Sequence, residues 1–471
     1  MRLRGEDYFK LVATILTFIS FLFMAVVSEI EGQILGVVLL ALVLWSLYPR
    51  HHFISSLFII SLLSLFQASI SPREFIRSLF STYGGSGLWI IISGFILSEG
   101  MDKSGLARRI ALWIITGLGG DPNKVVLSVA IASLAVAPLS PSTTAKAFLI
   151  LPICIGLIQA FDVEKGQSPY GAGVMIMAMA ANNICSTGFL TATVPNPISA
   201  EYIRDSSNLD LGWFEWLKMS LPLTLILLAS SWLVCRKMFK PEVEARREAV
   251  KRIGDLLNEM GPISRRELLV ASVFSIALFL WITERIHGLN SGLISLALSL
   301  FLFIPQTGSI KIDGFMREVP WGSITLFAAS MFLAKAVGRW RALDPVTRNI
   351  FELLNVSSLP ILVFVVLIVL ISTLLHVAFT STTVYATVMV PLSISLARLQ
   401  GLEPQFVGIP VAFLAPVALI LPVNTIPNVV FYSSGYFNQK QMIVYGIVVS
   451  LISIFLTIFI GLPYWINIGF M

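Results

Sequence analysis

Charge is scarce in this sequence. Of its 471 residues only 12% are Asp, Glu, Lys or Arg, while 56% are hydrophobic; soluble globular proteins carry about a quarter charged residues. Apolar runs of about 20 residues, enough to cross a hydrocarbon core of about 30 Å, recur along the whole chain. A multi-pass protein in a lipid bilayer is therefore expected, and a cleaved signal peptide is a poor account of the first run. Cysteine is scarce too. Cys154, Cys185 and Cys235 lie in or at the end of apolar segments, with no CxxC pair and no Cys/His cluster, so neither a disulfide framework nor a zinc site is implied. HExxH, GxSxG, P-loop and GxGxxG patterns are missing, which leaves enzymes and organic cofactors without support. The net charge of +6 gathers in basic residues between spans, a loop bias and not a nucleic-acid surface.

The apolar runs that are present predict spans near residues 10–28, 33–49, 53–70, 86–101, 217–235, 267–284, 290–305, 320–337 and 442–463. Four further stretches do not read as simple spans. Residues 122–160 and 350–398 each hold two apolar runs broken by a Ser-Thr-Thr triplet; residues 170–203 and 405–437 are each interrupted by a Pro-Asn pair. The insert from Cys235 to Glu267 holds Arg236, Lys237, Lys240, Arg246, Arg247, Lys251, Arg252, Arg265 and Arg266, which places it in the cytoplasm. Counting spans from there puts the N-terminus inside and the C-terminus outside, in a plasma membrane. Arg339, Arg341 and Arg348 are the exception, falling outside.

The insert divides the chain into an N-terminal helix (1–32), a first repeat (33–236), a linker (237–266) and a second repeat (267–471). The halves match. "SPSTTAKAFLILPI" is followed by "TATVPNPISAEYI", and "FTSTTVYATVMVPL" by "LPVNTIPNVVFYSSGYF". The shared pattern is S-T-T, seven residues, Pro, then T-[VI]-P-N. Span counting sets the two triplets on opposite sides of the membrane, the mark of an inverted-topology repeat.

Non-helical backbone survives in hydrocarbon only where protein or a watery cavity receives it. The tip of a helical hairpin is such a place. Ser142 and Ser381 can cap the N–H groups of the helices that follow, whose positive ends favour an anion. Hydroxyls and free carbonyls there can accept a hard cation such as sodium. Pro195 and Pro427 free further carbonyls in mid-span. Two tips and two breaks can thus build one site for an anion flanked by cations. Lys146, one turn from Ser142, could face the anion or snorkel to the cytoplasmic interface. His376 could be proton-linked, an anion ligand or a packing residue. Asn182 and Asn183 could line the site or bond helix to helix. Glu99, at a span end, is expected at the interface.

At these residues the chain resembles the divalent-anion/sodium symporter family of dicarboxylate, citrate and sulfate carriers. "GLWIIISGFILSEGMDKSGLARRIALWI" looks like that family's span before its first hairpin, and "PVNTIPNVVFYSSGYF" like its second broken helix. The resemblance implies an all-α fold of about eleven spans plus two re-entrant hairpins, a homodimer, and elevator-type exchange between membrane sides. It implies substrate contacts at Ser142, Thr143, Thr144, Pro195 and Asn196 and at Ser381, Thr382, Thr383, Pro427 and Asn428. Sodium, the implied coupling ion, would be held by Ser142, Thr143, Ala192 and Thr193 and by Ser381, Thr382, Asn424 and Thr425. The chain departs from the family at both tips, where threonine replaces asparagine, and at both breaks, where Val194 and Ile426 replace the first of two prolines. Pro138 and Val377 stand where some relatives have hydroxyl ligands.

The expected activity is sodium-driven uptake of a small divalent anion, such as succinate, malate, fumarate or citrate. Sulfate transport, anion exchange and proton coupling are the alternatives. An intramembrane enzyme would need one triad where this sequence repeats hydroxyl triplets in both halves with only one nearby histidine. A channel would not need the doubled hairpins.

Overall fold

A computed structural model describes residues 5–27, 29–48, 51–118, 121–207, 209–243, 254–304, 310–353 and 359–471. Arg246, Arg247, Lys251 and Arg252 of the basic insert lie outside the described residues. The described residues form helices and no strands, which fits a chain that must pair its backbone groups within each segment. Among the described residues, eight helices are long and apolar enough to cross a membrane. That is fewer than about eleven because several apolar helices, among them Thr143–Gln159 and Gln405–Leu414, are too short to count by length.

The uninterrupted spans fall close to their expected places, at Gly5–Val27, Ile30–Leu47, His52–Ile70, Ser86–Ser104, Trp213–Met238, Arg265–Ile282, Ser291–Leu300, Trp321–Trp340 and Gln439–Leu456. Boundaries follow local chemistry. Ser264 caps the helix Arg265–Ile282 in a box closed by Glu267, and Asn438 with Gln441 does the same at Gln439. The second interrupted stretch begins later than expected. Asp344–Leu353 is a separate helix, and the first arm of that stretch is Ile361–Leu375.

Packing relates the halves reciprocally. His52–Ile70 packs on Trp321–Trp340, and Ser86–Ser104 on Ser291–Leu300. Buried apolar residues divide into two cores. One, with Phe21, Trp45, Ile59, Leu63 and Phe332, joins the first three helices to Trp321–Trp340. The other takes in most of the remaining helices and both interrupted stretches; Trp321–Trp340 contributes to both cores, and Val384, after the second triplet, belongs to the first.

One ion pair buried at both ends ties the halves together. Arg109 and Glu267 are 4% and 2% exposed and meet at 2.5 Å through Nε and 3.2 Å through the terminal nitrogen. Arg109 also donates to the carbonyls of Gly261 and Met260. Arg109 is thus a buried tether between the first half and the end of the basic insert.

Candidate functional site

Each triplet stands at a helix–break–helix tip. In the first half, Pro122–Val136 runs into a tight turn, Ala137–Leu139; the chain is extended at Ser140 and Ser142, and Thr143–Gln159 follows. In the second, Ile361–Leu375 runs into the turn His376–Ala378; Phe379 and Ser381 are extended, and Thr382–Leu399 follows. The cap chemistry read from the triplets is present in both. Ser142 Oγ accepts from Ala145 N at 3.1 Å, and Ser381 Oγ accepts from Val384 N at 3.4 Å. Thr143, Thr144, Thr382 and Thr383 are half-buried, and their hydroxyls carry no hydrogen bond among the described residues. Two positive helix ends edged with unspent hydroxyls result.

The Pro-Asn segments are breaks of the same design. Pro169–Thr187 gives way to the turn Leu190–Ala192, extended Thr193 and the helix Pro195–Ser206. Gln405–Leu414 gives way to Pro422–Asn424, extended Thr425 and Ile426–Tyr432. Each turn touches the tip of its own half, whereas the helix after each break packs on the helix that follows the triplet of the other half. Pro195–Ser206 thus lies on Thr382–Leu399, and Ile426–Tyr432 on Thr143–Gln159.

The breaks free carbonyls, and buried amides collect them. Asn196 Nδ2 donates to Ser186 O at 2.7 Å and Phe189 O at 2.8 Å. Asn428 Nδ2 donates to Ala418 O at 2.7 Å and Leu421 O at 3.2 Å. Both asparagines are wholly buried, so their amide nitrogens brace the breaks and are already engaged. Asn196 Oδ1 is buried without a partner, whereas Asn428 Oδ1 accepts from Asn183 Nδ2 at 2.8 Å. Thr425 caps the last helix piece by accepting from Asn428 N. Asn424, expected near a cation, uses its side chain: Nδ2 donates to His376 O, Val377 O and Phe379 O at 3.0–3.2 Å.

Lys146 neither snorkels nor lies open to an anion. It is 4% exposed, and Nζ donates to Ala192 O at 2.6 Å, Ser186 Oγ at 3.0 Å and Ala137 O at 3.4 Å. His376 is 5% exposed, its ring centroid 4.1 Å from that of Tyr385 and its Nε2 buried without a partner. Asn182 Nδ2 holds Thr143 O at 3.1 Å, fastening the first tip to its neighbour, and Asn183 links the halves. Glu99 pairs with Lys103 at 3.4 Å near the end of its span, and Lys103 with Glu318 at 3.0 Å.

Sequence reasoning passed over Ser140, Ser98 and Ser186. Ser98 Oγ donates to Ser140 Oγ at 2.6 Å, and Ser140 Oγ accepts from Ser142 N; the only sequence signal is a serine enclosed by Pro138 and Pro141. A cavity of about 310 Å³ lies at the far end of Thr382–Leu399, lined by Tyr202, Arg341, Asp344, Arg348 and Arg398 among others. Two of the arginines that broke the loop-charge pattern therefore face a cavity.

A family model described as the sodium:sulfate symporter transmembrane region matches residues 6–471. The sodium-dependent dicarboxylate transporter SdcS of Staphylococcus aureus (strain USA300) is 28% identical over 402 residues, 81% of this chain and 76% of its own length. A membrane protein of Cupriavidus necator is 25% identical over 398 residues, 82% of this chain and 76% of that one. Among solved structures, the Alcanivorax borkumensis YdaH transporter superposes with a TM-score of 0.60 at 13% identity, covering 90% of this chain and 99% of that chain. That last likeness is one of fold.

Proposed function

The chain belongs to the sodium:sulfate symporter transmembrane family, and on that premise we propose that it takes up a small divalent anion, most simply a C4 dicarboxylate, driven by a sodium gradient. It is a transporter and not an enzyme. The observation that carries the anion reading is the pair of serine-capped helix ends, each edged by two threonine hydroxyls without partners. A helix N-terminus attracts negative charge, and two of them suit an anion with two charged ends. SdcS is named a sodium-dependent dicarboxylate transporter, which favours dicarboxylate over sulfate.

In this proposal Ser142, Thr143, Thr144, Ser381, Thr382 and Thr383 hold the substrate. Pro195, Asn196, Pro427 and Asn428 keep the breaks open behind them, and carbonyl and hydroxyl oxygens of tip and break take up sodium as cargo. Reciprocal packing of the halves supports an inverted repeat with two re-entrant hairpins. Movement of the hairpins and breaks against a fixed scaffold, as an elevator, is carried over from the resemblance. The homodimer and the inside N-terminus are carried over from the resemblance and the loop charges. Arg341, Arg348 and Arg398 around their cavity would concentrate anions at the outer mouth.

Purified protein in proteoliposomes tests the reading. Labelled succinate should accumulate with an inward sodium gradient and not when choline replaces sodium at constant pH. Uptake that persists in choline and collapses with a proton ionophore would give proton coupling instead. Faster uptake of sulfate than of any dicarboxylate would give the inorganic-anion reading.

A further inference from the structure

The two tips differ in what fills the oxygen cluster between tip and break. In the first half the cluster is Ala137 O from the tip turn, Ala192 O from the break turn and Ser186 Oγ from the helix before the break; all three lie on Lys146 Nζ. Two carbonyls and a hydroxyl converging on a point are what a hard cation requires. An ammonium has three N–H donors and no acceptor, so the three oxygens match it one for one. The Ser186 hydroxyl points its own hydrogen at Asn182 O, 2.7 Å away, which leaves its lone pairs for Lys146. None of the three partners is a carboxylate, so the charge is solvated by dipoles and has no neutralising counter-ion among them.

The second half has no such charge. Aligning Ser142 with Ser381 puts Tyr385 where Lys146 stands and His376 where Ala137 stands, and the Tyr385 and His376 rings pack on each other. His376 O, Val377 O and Phe379 O are collected by the neutral amide of Asn424. A neutral donor leaves room for a cation to compete for those oxygens; a charged one does not.

We propose that the Lys146 ammonium is a resident cation that takes the place of a coupling sodium in the first half-site, so that transported sodium binds on the second half alone. The proposal rests on the carrier reading above and deepens it, by fixing where cation charge comes from. A buried charge without a carboxylate is costly to keep. The negative end of a bound substrate at the first tip, one turn away at Ser142, would offset that cost.

The test counts bound ions and so is independent of uptake. Saturation binding of sodium-22 to the purified full-length protein, without substrate, should give no more than one sodium per chain in the wild type. Two or more would overturn the proposal. Lys146→Met removes the charge with a side chain of similar length; it should bind one sodium more than the wild type, and an unchanged count would overturn the proposal. Should Lys146→Met not fold, Lys146→Arg keeps the charge and should match the wild-type count, whereas an added sodium would overturn it. In proteoliposomes Lys146→Met should lose about tenfold or more of its uptake at low sodium, the scale of a lost contact to a charged group, and regain it at high sodium with a Hill coefficient raised by about one. Failure of wild-type uptake under every cation would strike the carrier reading while leaving the ion count to decide this one.

Discussion

Replacing Ser142 separates two roles that this residue combines. Its Oγ accepts from Ala145 N at 3.1 Å, closing the start of Thr143–Gln159, and its hydroxyl hydrogen is the group assigned to the anion. Alanine removes both. An N-cap Ser→Ala change costs about 0.5–2 kcal/mol, whereas glycine at an N-cap costs only a few tenths. Glycine also accepts the extended backbone of Ser142, φ −91° and ψ 100°, without strain. Ser142→Gly therefore keeps the helix start and removes the ligand. A hydrogen bond to a charged group contributes about 1.5–3 kcal/mol, which corresponds to an increase in KM of roughly 10- to 150-fold. The assay is initial-rate uptake of labelled succinate in proteoliposomes, beside melting of the same preparations. Both variants should lose transport alike while Ser142→Gly melts within a degree or two of the wild type. If Ser142→Gly transports normally and Ser142→Ala fails in proportion to its lost stability, Ser142 is a cap and not a ligand.

The same comparison at Ser381, whose cap bond is longer at 3.4 Å, should show a smaller stability difference between Gly and Ala and the same loss of uptake. Asn428→Ala removes three side-chain hydrogen bonds, to Ala418 O and Leu421 O and from Asn183, against two for Asn196→Ala; at about 0.5–1.5 kcal/mol net for each, its melting temperature should fall further than that of Asn196→Ala, whose Oδ1 has no partner to lose. Arg109→Ala strands the Glu267 carboxylate inside the protein, and breaking such a pair costs about 3–5 kcal/mol. Arg109→Met with Glu267→Leu together should recover much of that stability, and the recovery is read by thermal melting in detergent.

The sequence disclosed those parts of the site whose chemistry is local. A serine cap reaches an N–H three residues on, so the triplets announced two helix starts in hydrocarbon. The prolines at 195 and 427 announced two breaks, and their repetition announced that the halves share a design. The start of the second hairpin was less legible: Ile350, Phe351 and Leu353 read as part of its first arm but belong to the separate helix Asp344–Leu353, and the arm starts after Pro360. His376 and the two Pro-Asn asparagines were polar residues in the right neighbourhood. Nothing in one dimension tells a ligand from a brace when both use the same amide.

By itself, then, the sequence determined a membrane-embedded, helical chain with a serine-capped helix start and a proline break at matching places in each half, since charge poverty, helix caps and proline breaks act within a few residues. Only the tertiary structure decided who occupies the oxygen clusters. The partners of Lys146 come from positions 9, 40 and 46 residues away. Those of Asn424 lie 45 to 48 residues back, and the Asn183–Asn428 bond spans 245. Such clusters exist only once tip, break and neighbouring helix are packed together, because freed carbonyls are satisfied by whichever donor the fold brings within about 3 Å. In the first half that donor is the amine of Lys146.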